Sequence, residues 1–433
     1  MNFPRSTRKA WPVKPGIASS LSQLARVVLT LLAGVFLSAA ASAADTTLKQ
    51  LLSEALQNHP TVLQARSQAQ ASGFDVEAAQ WGRFPTVSSQ LRSDTNLTQS
   101  VAKVEQPLWT GGKLTSRIAL SEANLRAAEA GVQEAQFNAL TQVATAFFET
   151  LRLDQRLQSA SHNVVEHERL VGLIERRTEA QISPPADSTL AQSRLQQAVS
   201  ERIQIKKQLD AARTTLAQWT VPLTGPLKPP VDIQFDPLPQ SELVERAIAQ
   251  SAQRRRLLSQ IESAQAQIEV SKAQAHPSLM AGFQRTWAGT VPANYDRSKG
   301  YLGLEFQSGA GLSARAGVQA AVSRKEAIQQ ELETLHRNLS AQVNAALSEL
   351  EALQAQLAPS KALLEGTTEV VESYLRQYQV GRKNWLDVLN AQREKTQALY
   401  SVADTRYGLQ LSKVRLMLMT GDISAEKLTA LHD

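Results

Sequence analysis

Residues 343–378 read VNAALSELEALQAQLAPSKALLEGTTEVVESYLRQY and carry an apolar residue at every seventh position. That row is Val343, Leu350, Leu357, Leu364, Val371 and Tyr378, and its partner row is Leu332, Leu339, Ala346 and Leu353. The same spacing recurs earlier, at Ile118, Leu125, Val132, Ala139, Ala146, Leu153 and Ala160. A sustained seven-residue repeat predicts long helices that pack knobs-into-holes. Each helix of about 65 residues would be roughly 100 Å long at 1.5 Å per residue.

The chain is internally duplicated, with residues 44–220 and 240–420 as the two copies, a Pro-rich linker at 221–239 and a tail at 421–433. Pro85 aligns with Pro277, Leu114 with Leu312, and Ala191 with Ala391. Each copy predicts a short helix, a helix of about six turns, two strands, a Gly corner, a very long helix and a return helix. The second helix and the return helix together are nearly as long as the long helix. We therefore expect four parallel rods rather than a compact core.

The N-terminus has the anatomy of an export signal. Residues 1–43 contain five basic and no acidic residues, an apolar run at 27–37, and small residues ending Ala41-Ser42-Ala43. This pattern predicts a cleaved signal peptide. Without it the chain has 41 basic and 40 acidic residues, so its charge does not indicate a nucleic-acid partner. The absence of cysteine excludes disulfides, Cys nucleophiles and thiolate zinc sites.

The strand-like stretches alternate in polarity, most clearly in the second copy. Leu279, Ala281 and Phe283 would share one face, and Leu302 and Leu304 alternate in the same way. Amphipathic strands of about ten residues are typical of a transmembrane barrel. Four strands cannot close one, and open sheet edges are not tolerated in lipid, so several chains would have to pool their strands. The alternative is two soluble hairpins that cap a coiled coil.

No motif predicts catalysis or a cofactor. Residues 309–314, GAGLSA, match a dinucleotide fingerprint, but a long helix follows where a βαβ unit would be needed. His162 and His167 are five residues apart, so they point to different faces of a helix and cannot share a metal. We therefore predict neither an enzyme nor a metal or cofactor site.

The turns between long and return helices are more informative. The second reads YQVGRKNWLDVLNAQ over residues 378–392, where Gly381 is a natural left-handed residue that ends a helix. Asp387 follows early in the return helix, where a carboxylate is favoured. In the first turn, Ile182-Ser183-Pro184-Pro185 precedes Asp187 at the equivalent position. Local chemistry alone favours the simpler interpretation of two capped hairpins.

Three features together resemble the TolC-like outer-membrane channels. They are the duplicated element order, the corner QPLWTGG at 106–112, and the turn at 380–391. The resemblance implies a mainly α-helical homotrimer, with twelve pooled strands forming an outer-membrane barrel in lipid above a long periplasmic coiled-coil barrel. The periplasmic end would open when a periplasmic adaptor and an inner-membrane transporter dock.

The resemblance also implies roles for particular residues at the periplasmic end. The gate residues would be Asp187, Tyr378, Lys383, Asp387 and Asn390, with Asp187 as the acidic partner of Tyr378 and Lys383 on the other hairpin. Asp387 would belong to an acidic ring that narrows the entrance, and Asn390 stands where the family can have a second acidic ring. The adaptor-docking residues would be Ile182, Ser183, Pro184, Val380, Gly381 and Arg382, with Ile182-Ser183-Pro184 as the counterpart of Val380-Gly381.

Residues 306–313 and the turn 183–187 resemble the corresponding segments of family members that export large adhesins by type I secretion. In such systems the inner-membrane transporter is an ABC exporter. The alternative cargo is a drug or another small molecule. Two other classes stay open: a periplasmic coiled-coil adaptor, and a secreted coiled-coil structural protein.

Overall fold

The computed structural model describes residues 46–94, 97–220, 225–231, 233–235, 238–288, 297–306, 313–425 and 427. The predicted signal peptide and the predicted Gly corner of the second copy, residues 309–311, lie outside these residues. The chain divides into two units. In the small one, residues 1–46 and 224–227, the Thr46 N–H donates to the Pro226 carbonyl at 3.1 Å. All helices and strands named below belong to the large unit, residues 47–223 and 228–433.

Both copies contain the predicted elements in the predicted order. The first copy comprises α1 (Leu48–Asn58), α2 (Pro60–Trp81), β1 (Thr86–Asp94), β2 (Leu97–Trp109), α3 (Lys113–Glu179) and α4 (Pro185–Trp219). The second comprises α5 (Gln240–Gln250), α6 (Ala252–Ala273), β3 (Ser278–Ala288), β4 (Ser298–Glu305), α7 (Ser313–Gln379) and α8 (Trp385–Met419). The fold is therefore mainly helical with four strands, as expected. None of the described helices combines the length and the apolarity needed to cross a membrane.

The offset between the copies changes once along the chain. The helices before the strands are 192 positions apart (252 − 60), as the alignment of Pro85 with Pro277 predicted. The long helices are 200 positions apart (313 − 113), and each has 67 residues. The predicted partner of Leu114, Leu312, lies outside the described residues. The extra residues of the second copy lie between these two pairs of helices.

The helices of the large unit form four rods side by side. The long helix α3 packs against α2 and α4 on one side and against α6 and α8 on the other. The second long helix, α7, packs against α6 and α8. Residues of α3 such as Leu140, Phe147 and Ile174 are almost fully buried because α3 has neighbours on both sides. The first rod (α2 with α4) and the fourth rod (α7) are the two edges of this wall.

The four strands form one antiparallel sheet in the order β1-β2-β3-β4. Its register aligns four residues in one row across the strands: Val87, Val104, Phe283 and Gly300. Apolar residues of both copies therefore share one face of the sheet. The opposite, more polar face carries Lys103, Gln284 and Lys299 in one row.

The polar face carries a link that crosses three strands. Tyr301 on β4 donates from Oη to Glu105 Oε1 on β2 at 2.7 Å. The ring reaches across β3 over Gly282, where a Cβ would lie 2.3 Å from the Tyr301 Cζ. The structure therefore confirms the predicted alternation in the second copy and extends it to the first, where the sequence pattern is weak.

Candidate functional site at the two hairpin tips

The second tip, residues 377–387, joins α7 to α8 through a tight helix stop. Gly381 adopts a left-handed φ of 78°, as its position predicted. Its N–H donates to the Tyr378 carbonyl at 3.0 Å, and the Arg382 N–H donates to the Gln377 carbonyl at 2.9 Å. These two bonds form a Schellman motif, which satisfies carbonyls that the end of a helix would leave unpaired.

The first tip, residues 177–187, has the same backbone but a different left-handed residue. Gln181 occupies the left-handed position, with a φ of 57°. Its N–H donates to the Thr178 carbonyl at 3.0 Å, and the Ile182 N–H donates to the Arg177 carbonyl at 2.8 Å. The structural counterpart of Val380-Gly381 is therefore Ala180-Gln181. The predicted counterpart, Ile182-Ser183-Pro184, was displaced by two residues.

The two return helices begin differently. In the second tip, Asn384 is the N-cap of α8, and its backbone N–H donates to Asp387 Oδ2 at 3.4 Å in a capping box. In the first tip, Pro184 is the N-cap of α4 and makes no side-chain capping bond. Asp187 and Asp387 both lie in the first helical turn, where the helix dipole favours a carboxylate. Their predicted equivalence is confirmed.

A polar link joins the two tips within one chain. The hydroxyl groups of Tyr378 and Ser183 are 3.0 Å apart and buried. The Arg177 guanidinium lies 4.9 Å from the centre of the Tyr378 ring, and its Nε donates to Ser183 Oγ at 3.4 Å. Arg177 Nη1 also donates to the Gln379 carbonyl at 3.5 Å. Three side chains from both hairpins therefore hold the tips together.

Beneath this link lies an apolar cluster shared by both hairpins. Its buried members are Leu170, Val171, Ile174, Ala191, Tyr378, Trp385, Val388 and Leu389. Trp385 is the first residue of α8, and its ring lies 5.2 Å from the Tyr378 ring. The second tip thus contributes both aromatic rings of the core at this end of the molecule.

The predicted charged gate residues are not all brought together in a single chain. Lys383 Nζ lies 3.7 Å from Asp387 Oδ2 on its own hairpin and 4.2 Å from the centre of the Tyr374 ring. The Asp187 carboxylate has no ion pair or hydrogen bond with any side chain in the described part of the chain, and it is half-buried. Asn390 is also half-buried, on α8.

The residues predicted to contact an adaptor divide by exposure. Ile182 and Val380 are 62% and 69% exposed, which is high for large apolar side chains, and Pro184, Gly381 and Arg382 are exposed as well. Ser183 is buried because it faces Tyr378. The tip therefore presents apolar side chains to solvent, and Ser183 serves the link between the hairpins instead.

Sequence reasoning missed two residues of this site, Arg177 and Trp385. Each acts across the two hairpins, and nothing in the local sequence of one hairpin marks a contact with the other. In the described ranges, no group of three or more His, Asp or Glu side chains could hold a metal ion.

Comparison with known proteins identifies the family of this arrangement. The family model described as outer membrane efflux protein matches residues 51–220 and 243–422, which is most of both copies. No protein among the curated sequences matches the chain.

Several solved structures share the fold at low sequence identity. CusC, described as forming a transmembrane channel, is 18% identical with a TM-score of 0.73, over 87% of this chain and 92% of its own. A membrane protein from Pseudomonas aeruginosa is 20% identical with a TM-score of 0.74, over 86% of this chain and 93% of its own. The CmeC outer membrane channel of Campylobacter jejuni is 12% identical with a TM-score of 0.72, over 88% of each chain.

Proposed function

The chain belongs to the outer membrane efflux protein family, and from that premise we propose that three copies of it form the exit duct of a tripartite export machine. As a member of this channel family it is an outer-membrane efflux channel with a helical extension in the periplasm, and not an enzyme. The match of the family to both copies is the observation that carries the proposal. Removal of residues 1–43 as an export signal is part of it.

The edges of the sheet support assembly into a trimer. In the sheet order β1-β2-β3-β4, the two outer strands each lack a neighbour on one side. Unpaired backbone groups at a lipid-exposed edge cost several kcal/mol each, so the sheet needs partners. Three copies would supply twelve strands, and β4 of one copy would pair with β1 of the next.

The edges of the helical wall support the same assembly. Phe74 on α2, Ile203 on α4 and Leu363 on α7 are each more than half exposed. All three lie on the two outer rods of the chain. Burial of such side chains against the next copy is favourable by roughly 25 cal/mol per Å² of apolar surface. We expect α7 of one copy to pack against α2 and α4 of its neighbour.

We propose that the tips form the periplasmic gate, with Asp187, Tyr378, Lys383, Asp387 and Asn390 at the constriction. The Asp187 carboxylate, which has no ion pair in the described part of the chain, is available to a cation of a neighbouring copy. Lys383 makes one long ion pair, 3.7 Å from Asp387 Oδ2, and is therefore also available to a neighbouring copy. Replacement of Asp187 or Lys383 by Ala should raise single-channel conductance in planar bilayers, because the closed state loses a link. Unchanged conductance in both variants would refute this assignment.

We further propose that the exposed tips dock a periplasmic adaptor protein, which connects the duct to an inner-membrane transporter. Ile182 and Val380 supply apolar contact, and Pro184, Gly381 and Arg382 surround them. The two tips differ in sequence, so each copy would offer two unlike sites to the adaptor.

For the cargo, we propose a large adhesin delivered by an ABC exporter through type I secretion. The support is the turn Ser183-Pro184-Pro185, whose proline pair and absent side-chain cap distinguish it from the second tip. The alternative cargo is a small molecule, and the description of the family as efflux proteins favours it.

Deletion of the gene distinguishes these cargoes. Loss of a large surface protein from the cell envelope, with unchanged tolerance of toxic small compounds, supports protein secretion. Increased sensitivity to small compounds with a normal cell surface would replace that proposal by small-molecule efflux.

A further inference from the structure

In the first copy, two aromatic rings fill the junction where the return helix meets the helix before the strands. Trp219 is the last residue of α4, and His59 is the N-cap of α2. Their rings stack at a centroid distance of 4.3 Å and an interplanar angle of 15°. His59 also accepts the Thr61 N–H at Nδ1, so one side chain caps a helix and fills the gap.

In the second copy, the same two positions carry smaller side chains. Met419 is the last residue of α8, and Ser251 is the N-cap of α6. Ser251 keeps the capping role, since its Oγ accepts the Arg254 N–H at 3.2 Å. A cavity of about 310 Å³ lies at this junction, and both Ser251 and Met419 line it. The second copy therefore has open space where the first has stacked rings.

The lining of this cavity suits an uncharged planar molecule. Phe137, Leu339 and Met419 provide apolar surface from three helices. Four amide side chains surround them: Asn138, Gln250, Gln253 and Gln342. The charged groups at its walls are already paired, because Glu134 accepts from Arg256 and Arg415 lies 3.8 Å from Glu349. A charged ligand would gain no free counter-ion from these groups.

We propose that this junction is a binding site for a small neutral heteroaromatic molecule, one per protomer. Its ring would take the place that the His59–Trp219 stack occupies in the first copy, and the amides would bind its polar atoms. The volume lies at the lower end of the range of small-molecule pockets, which begins at about 300 Å³. The ligand would connect the end of α8 to the start of α6 beside α3.

The site lies at a helix junction and not at the tips, so its test does not depend on the proposed gate and docking residues. Indole is a suitable probe, since it has one planar apolar ring system and one N–H donor. Isothermal titration of the intact protein in detergent should give one bound indole per protomer. Absence of saturable binding to the intact protein would overturn the proposal.

A filled variant tests the location. Ser251→His/Met419→Trp copies the aromatic pair of the first junction into the second and should abolish indole binding. If this variant does not assemble, Met419→Phe alone should weaken binding at least tenfold by narrowing the cavity. Indole binding that is unchanged in either folded variant would place the ligand elsewhere and refute the site.

The first copy supplies the matched control. His59→Ser/Trp219→Met gives the first junction the residues of the second and should raise the stoichiometry from one indole to two per protomer. A stoichiometry that stays at one would contradict the inference that the missing rings create the site.

Discussion

The two hairpin tips have the same backbone conformation, but their side chains have different roles. Both end a long helix with the same pair of Schellman hydrogen bonds. The second tip places Tyr378 and Trp385 in the apolar cluster, whereas the equivalent positions of the first tip hold Thr178 and Pro185. Duplication thus preserved the geometry that ends a helix. The two aromatic rings of the shared cluster come from the second tip, whereas Arg177 and Ser183 of the polar link come from the first.

The largest difference is expected at the first position of the return helices. Trp385→Ala removes a side chain that is 3% exposed and should cost about 3–5 kcal/mol of local stability. Pro185→Ala, at the equivalent exposed position, should stay within about 0.5 kcal/mol. Hydrogen exchange of the tip amides measures both. Similar exchange in the two variants would show that the tips share the core equally.

Substitutions at the two left-handed positions should change the stability of the tips in opposite directions. Gln181→Gly relieves a left-handed non-Gly residue and should stabilise the first tip by about 1 kcal/mol, since that conformation costs roughly 1–2 kcal/mol. Gly381→Gln should destabilise the second tip by a similar amount. Apart from Gly381 itself and its two chain neighbours, no residue has an atom within 4 Å of a Cβ built there, so the backbone conformation decides the effect. Changes of the same sign in both variants would contradict the equivalence of the two stops.

The hydroxyl link gives a smaller and more specific effect. Tyr378→Phe removes the bond to Ser183 and should loosen the tips by about 1 kcal/mol. A double-mutant cycle with Ser183→Ala isolates this bond from the packing of the ring. A coupling energy of zero would mean that the hydroxyls do not hold the hairpins together.

The smallest effect is a pH dependence confined to the first hairpin. Burial, aided by the Arg194 charge and opposed by Glu166, lowers the pKa of His167 below its usual value near 6.5. The unfolded chain therefore binds the proton more readily, so stability is fully present above about pH 6.5 and falls as the pH drops below it. His167→Gln should flatten this slope in thermal melts. Thr367→Ser, at the equivalent position of α7, should leave it intact, and a slope that persists in His167→Gln would exclude His167 as its source.

Much of this fold could be predicted because its determinants are local and repeated. The seven-residue spacing and Gly381 each predicted a feature that the structure contains, and the duplication predicted the strands of the first copy. Gln181 could not be predicted as a left-handed residue, because its side chain gives no sign of that conformation. The pairing of Tyr378 with Ser183 depends on how two hairpins meet, which neither hairpin specifies alone. The role that we propose for Asp187 depends on a neighbouring copy, which the sequence of one chain does not describe.

The central claim is that separate chains pool their strands and helices into one closed duct. Light scattering of the protein extracted in detergent from the outer-membrane fraction tests it most directly. The account predicts a protein mass of three protomers after subtraction of the detergent. A monomer in that fraction would contradict the claim, because four strands cannot close a barrel, and a dimer would contradict the proposed twelve-stranded trimer.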